Sequence, residues 1–317
     1  MFLSSWSKDV NTVPQKFVFP PEERPGDLPA PLCKGIPVID LQQSGGHHDR
    51  ADLLHQIIKA SQDLGMFQVI NHGVSEELMD DTMSLFKEFL DMPEEDKASY
   101  CSDDTSKSFT IFTGSSSNSN LNKKDNVTYW KDSVKHSCHP LEDHIQSWPE
   151  KPARYREVVG TYSVEVRKLT LRILDLICEG LGLEEGYFAD ELSKTQALVV
   201  NHYPPCPNPS LVLGVSGHFD PNLLTILQQE EYGLQMYKDE QWVGVEPLPH
   251  AFVINIANQL ELISNGMLKS AKHRAVTNSS IARTSIVTFI APSRECVIEP
   301  AKALVKSSNP QLFKGVH

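Results

Sequence analysis

In the stretch GHFDPNLLTIL, His218 and Asp220 stand two residues apart, and on a strand positions i and i+2 present their side chains to the same face. An imidazole and a carboxylate brought together in this way can share one metal ion. His273, in KSAKHRAV, lies fifty-three residues beyond Asp220 and follows two or three further strand candidates, so it would supply a third ligand from a separate place in the fold. Two imidazoles and one carboxylate on one face of an octahedron leave three positions open, the arrangement of oxygen-activating iron(II), whereas zinc more often takes a tetrahedral site.

A small dianion held at such a metal needs a fixed cation for its other end. Arg283 and Ser285, in ARTSIVTF, are again two apart on a strand candidate, so a guanidinium and a hydroxyl can grip one carboxylate together. Tyr203, in NHYPPC, adds a phenol donor from a neighbouring strand. Each residue also has an ordinary reading. Arg283 and Ser285 suit a surface pair, Tyr203 suits packing beside a Pro-Pro turn, and His273 suits a lone core histidine. Their joint order on strand candidates is what those readings leave unexplained.

The elements that must carry these residues follow from periodicity. Residues 1–35, with FPPEERPGDLPAP, read as an irregular arm. IPVIDL (36–41) and MFQVI (66–70) read as apolar strands, and between them Leu53, Leu54, Ile57, Ile58 and Leu64 recur at helical spacing up to Gly65. A helix is expected from about Ser75, placed to cap it, to Leu90, with a short one opening at Pro93. Residues 102–124, with SSSNSN at their centre, lack the apolar content to order themselves and read as a mobile loop at the substrate entrance. A long helix follows over about 153–181, with Gly180 and Gly182 as its stop. From Gln196 onward ALVVNHY, LLTILQQ, LQMYK, FVINIAN, TSIVTFIA and CVIEP form a series of strands, the pattern of an antiparallel barrel or jelly roll. The division is therefore an arm (1–35), a helical amino-terminal region (36–152), and a long helix with a β-rich core (153–317), an α+β chain overall.

Composition excludes other classes. A formal net charge of −12 opposes phosphate backbones, so no nucleic-acid partner is expected. Six cysteines without a C-x-x-C pair indicate neither a zinc ribbon nor a disulfide framework. No signal-like or membrane-spanning apolar run is present, and a cytoplasmic monomer is expected.

The set NHYPPCPNP, GHFDPNLLTILQQ, GLQMY, WVGVEPLPHAFVINIANQLELISNG, KSAKHRAVTN and RTSIVTFIAP resembles the plant 2-oxoglutarate/iron(II)-dependent dioxygenases. IPVIDL, LGMFQVINHGV and PEEDK extend the resemblance over roughly residues 36–313, and the stretch from YWKDSVKHSCHPLEDH through ICEGLGL looks most like the hyoscyamine 6β-hydroxylase branch. The resemblance implies a double-stranded β-helix (jelly-roll) core with a helical amino-terminal half packed around it. It implies iron(II) held by His218, Asp220 and His273, and 2-oxoglutarate held by Arg283 and Ser285 with Tyr203 and Asn201. Phe289, with Phe219 and Tyr129, is expected to line the substrate pocket. The implied reaction turns 2-oxoglutarate and O2 into succinate and CO2, with ascorbate supportive, while a small specialised metabolite such as an alkaloid is hydroxylated, desaturated or epoxidised.

The sequence departs from that pattern at Asn222, at Ala257-Asn258 where Gly-Asp is common, and at His202 in place of a tyrosine; its end at LFKGVH is expected to shorten a lid over the site. A second reading is thus a catalytically weak or inactive homologue that binds a small molecule or protein. A third, a zinc-dependent hydrolase, gives Arg283 no role.

Overall fold

Strands form where β-branched and aromatic residues alternate between two environments, and helices where apolar residues recur every third or fourth position. The computed structural model describes residues 2–26, 30–42, 47–102, 104, 106–114 and 127–316. Among them the helices are α1 (Leu3–Trp6), α2 (His47–Asp63), α3 (Glu76–Asp91), α4 (Glu94–Lys97), α5 (Leu141–His144), α6 (Tyr155–Leu181) and α7 (Asn258–Ile263). The strands are β1 (Val38–Asp40), β2 (Met66–Ile70), β3 (Phe109–Thr113), β4 (Asp132–Ser137), β5 (Thr195–Tyr203), β6 (Val215–His218), β7 (Leu224–Gln229), β8 (Leu234–Lys238), β9 (Gln241–Gly244), β10 (Phe252–Ile256), β11 (His273–Ala275) and β12 (Arg283–Ala291).

The strands form a large sheet in the order β1-β2-β10-β7-β12-β5-β4-β3 and a small one in the order β6-β11-β8-β9. β1 joins β2 in parallel, and the remaining ladders are antiparallel. This is a double-stranded β-helix, with the amino-terminal region lending strands to the large sheet. Strand parity divides the interior into two cores. Leu198, Val200, Ile226, Ile254, Ile286 and Ile290 join the larger core with residues of α2, α3 and α6. Leu227, Val253 and Val287, one residue out of phase, meet Leu234 and Met236 of the small sheet. Each such fully buried side chain contributes on the order of 1.5–3 kcal/mol.

α6, about 40 Å long at 1.5 Å per residue, is the main support of the large sheet; the Tyr162 hydroxyl donates to Gln228 Oε1 of β7 at 2.8 Å. Its end differs from the sequence expectation. Gly180 lies inside the helix and lets α2 approach, since a Cβ there would fall 2.5 Å from Ile58 Cγ1. Gly182 is the stop, at φ 69°, with its N–H turned back to the Cys178 and Glu179 carbonyls. Ser75 caps α3 as expected, accepting from the Leu78 amide.

Three expectations need correction. The described part of the arm over 1–35 holds the short helix α1 and two single 3-10 turns, and Phe2, Leu3, Phe17 and Phe19 are buried, so it contributes to the core. Within the stretch expected to be a loop, Phe109–Thr113 is strand β3 paired with β4; residues 115–124 lie outside the described residues. CVIEP forms no strand, only an isolated bridge from Ile298 to Val316. No described helix is long and apolar enough to cross a membrane.

Candidate active site

The small sheet brings the two histidines together, because His273 of β11 is the direct cross-strand partner of His218 of β6. Asp220 lies just past the end of β6, with Oδ1 3.5 Å from His218 Nε2 and 3.7 Å from His273 Nε2. The ligand atoms of all three lie within 4.8 Å of one another. Each imidazole Nδ1 sits 2.9 Å from a backbone carbonyl two residues earlier, Ser216 for His218 and Ala271 for His273. That contact places the ring proton on Nδ1 and leaves the Nε2 lone pair facing Asp220.

Two lone pairs and a carboxylate converging on one point repel one another unless a cation lies between them, so the donor set fits a metal ion. Asp220 is buried, which opposes its charge, yet at acid pH, where His273 and His218 beside it carry an extra proton, their charge brings its carboxyl down to about 2. Burial pushes the His273 imidazole below its ordinary value and keeps it neutral, the form that ligates. Asn255 of β10 reaches Asp220 Oδ2 at 3.4 Å, and the Asn258 amide donates to the Asp220 carbonyl at 2.9 Å. The second contact uses backbone only, so it does not depend on the side chain at position 258.

The large sheet faces this cluster with a different chemistry. Arg283, Ser285, Val287 and Phe289 occupy one parity of β12 and line the same cavity of about 280 Å³ as His218, Asp220 and His273. Arg283 is only 2% exposed; it donates to the Glu231 carbonyl at 3.0 Å and to Gln229 Oε1 at 2.9 Å, and approaches Ser285 Oγ at 3.5 Å. The Tyr203 ring centroid lies 5.2 Å from its guanidinium carbon. Among the described residues no carboxylate pairs with it. A buried cation left with neutral partners is costly, and an anion in the cavity would remove that cost.

Ladder register completes the patch: Tyr203 is opposite Arg283, and Asn201 is opposite Ser285. Two glycines make room for it. A Cβ on Gly233 would lie 2.5 Å from Arg283 Cδ, and one on Gly214 would lie 2.4 Å from the Tyr203 ring.

Residues 194–292 match the 2OG-Fe(II) oxygenase superfamily, and residues 36–154 match the amino-terminal family of the non-haem dioxygenase in morphine synthesis. Hyoscyamine 6-dioxygenase of Hyoscyamus niger is 47% identical over 99% of this chain and 91% of its own length. The chain belongs to the 2OG-Fe(II) oxygenase superfamily. This oxygenase is also 39% identical to flavanone 3-dioxygenase 2 of Oryza sativa subsp. japonica, over 96% of the chain and 87% of the relative. It superposes on the crystal structure of JOX2 in complex with 2OG, Fe, and JA with a TM-score of 0.86 and 33% identity, covering 100% of this chain and 90% of that one. The oxygenase is thus a dioxygenase that uses iron(II), 2-oxoglutarate and O2 on a small-molecule substrate.

Not every residue singled out in the sequence reaches the oxygenase cavity. His218, Asp220, His273, Arg283, Ser285, Tyr203, Asn201 and Phe289 line it. Phe219 does not: it sits between two inward residues, so strand parity turns it away, and it is 46% exposed. Tyr129 is buried against Phe19, Leu213 and Val276, and its hydroxyl meets Ser216 Oγ at 2.6 Å. His202 takes the opposite parity of β5 from the cavity residues and bonds Thr284 Oγ1 at 2.9 Å. Asn222 ties the turn after Asp220 to the sheet, donating to the carbonyls of Leu224 at 2.7 Å and Ile290 at 3.1 Å. The sequence reading passed over Lys131, Gln229, Asn255 and Phe112. Lys131, a charge inside the half-apolar run YWKDSV, carried the one local signal that could have marked it.

Proposed function

We propose that this oxygenase hydroxylates a C–H bond of a small specialised metabolite such as an alkaloid, with His218, Asp220 and His273 as iron ligands. Arg283 and Ser285, with Tyr203 and Asn201, seat the distal carboxylate and flank of 2-oxoglutarate. The observation that carries the reading is a buried guanidinium, with no acid partner among the described residues, in the same cavity as a His/Asp/His cluster. A zinc hydrolase would leave that guanidinium unexplained. The alkaloid class rests on the 47% identity to hyoscyamine 6-dioxygenase.

Iron(II) and 2-oxoglutarate together supply the oxygen-activating chemistry when bound. The chain's part is positional. The Ser216 and Ala271 carbonyls hold the two imidazoles in one tautomer and orientation, and Asn255 steadies the Asp220 carboxylate. Val199, Leu227, Val287 and Phe289 give the cavity an apolar wall that limits water near the reacting carbon.

The test is incubation with iron(II), ascorbate and 2-oxoglutarate across a panel of tropane and other alkaloids, following succinate and products heavier by one oxygen atom. Arg283→Ala should raise the KM for 2-oxoglutarate at least about 30-fold, the loss of about 2 kcal/mol from one charge-assisted contact. Substrate-dependent succinate release absent from the whole panel would leave a non-catalytic binding module as the better reading; unchanged 2-oxoglutarate KM in Arg283→Ala would remove the co-substrate seat.

A further inference from the structure

Besides Arg283, and Arg274 on the small sheet, the cavity is lined by a third buried cation that the proposed chemistry does not use. Lys131 lies one residue before β4, and its chain neighbours are anchored elsewhere. The Trp130 indole donates to the Pro204 carbonyl at 3.0 Å. The Asp132 carboxylate accepts from the Leu3 and Ser4 amides at 2.9 and 2.8 Å and from the Thr113 hydroxyl at 2.7 Å. With both sides held, Lys131 projects into the cavity, 8% exposed.

There its Nζ donates to Asn201 Oδ1 at 2.8 Å, and Ser133 Oγ donates to the same oxygen at 2.8 Å. An ammonium can only donate, so the amide atom facing it must be the oxygen. The Asn201 Nδ2 then has no partner among the described residues and borders the cavity. Among the described residues no carboxylate pairs with Lys131 either, and burial holds its ammonium at a pKa of about 8. Ladder register makes the patch continuous, because Asn201 is paired with Ser285 on one side and with Ser133 on the other. Polar donors therefore run from Arg283 to Lys131 across β12, β5 and β4.

We propose that Lys131 is a positioning residue for 2-oxoglutarate: it locks the Asn201 amide with its oxygen toward β4, so that Nδ2 donates to a carboxylate oxygen of the co-substrate. Its charge adds positive potential from the β4 side of the cavity. The inference rests on the proposed 2-oxoglutarate seat at Arg283 and Ser285, and the experiment separates the two.

Calorimetric titration of 2-oxoglutarate into full-length protein loaded with Mn(II) reads affinity without turnover. Lys131→Met should weaken 2-oxoglutarate binding about 10-fold or more with Mn(II) affinity unchanged. Asn201→Ala should weaken it to a similar extent. The double variant should be no weaker than about threefold below the worse single one, since both changes remove one device. Lys131→Arg, which can still donate to Asn201, should recover most of the loss. Binding by Lys131→Met within twofold of the parent overturns the proposal, as do losses that multiply in the double variant. If the Met variant does not fold, Lys131→Leu, which likewise cannot donate to Asn201, is read against the parent by the same criteria. Arg283→Ala is the control. If it too binds normally, the seat itself is wrong; if it alone is weakened, only the role of Lys131 falls.

Discussion

At the scale of single residues, the molecule keeps several ionisable groups in environments that oppose their charge, and not all of them belong to the active site. His136 is fully buried on the outer face of β4 among the rings of Phe86, Phe109, Trp148 and Tyr155, with Nε2 2.8 Å from the Tyr155 hydroxyl. Burial pushes its pKa down to about 3. The unfolded chain, with an imidazole pKa near 6.5, therefore binds more protons than the folded one between those values. The stability this neutral histidine contributes is fully present above pH 6.5 and is lost as pH falls toward 3. Between pH 7 and 4.5 the parent should lose about 2–3 kcal/mol from this residue alone. Urea titrations at the two pH values should show the fall, and a His136→Asn variant should have a flatter dependence. Equal slopes would mean that the acid sensitivity lies elsewhere. The chemistry of the site was largely legible at this scale. Arg283 and Ser285 are two apart on β12, and Asp220 follows His218 by two residues just past the end of β6, so that spacing leaves little freedom in where they point. Lys131 was not legible, because a lysine reads as solvated until Trp130 and Asp132 are seen to be anchored behind it. Proximity in sequence misled at Phe219 and Tyr129, where parity or a packed cluster turns the ring away from the cavity.

At the scale of elements, what positions the guanidinium is as much the backbone opposite as its own strand. Gly233, one residue before β8, leaves space that the Arg283 side chain crosses at distances no Cβ tolerates. Gly233→Ala should therefore displace the guanidinium, raising the KM for 2-oxoglutarate several-fold while Mn(II) affinity stays at the parent's value. Steady-state kinetics and metal titration of the variant check this, and an unchanged KM would show that Arg283 can relax around the methyl group. Strands were well read from sequence where apolar and β-branched residues dominate the run, as in β2, β5, β7, β10 and β12. They were missed or invented where composition blurred that pattern. The run FTIFT of β3 was hidden by its Ser- and Asp-rich surroundings, and CVIEP has a short apolar run but no ladder to join. The burial of the arm was illegible for another reason: its aromatic residues find their partners, such as Phe17 against Trp130 at 5.0 Å, more than a hundred positions away in the chain.

At the scale of the whole molecule, the two sheets divide the labour. The candidate metal ligands His218 and His273 belong to the small sheet, whereas Arg283, Ser285, Tyr203 and Asn201 belong to the large one. If the proposed seat holds, a diacid gripped by iron at one end and by the guanidinium at the other would act as a tie-bar between layers that otherwise meet through a modest apolar core. Metal alone braces only one wall, so the melting temperature should rise more with Mn(II) and 2-oxoglutarate together than the separate increments sum to. At a hundredfold excess over Kd each bound species contributes about 2.7 kcal/mol, enough to read as several degrees by scanning calorimetry. Purely additive increments would mean that the walls are already rigid before the co-substrate arrives. If the increments are cooperative, starving the protein of its diacid loosens the barrel as well as idling it, and its resistance to proteolysis becomes a gauge of co-substrate supply.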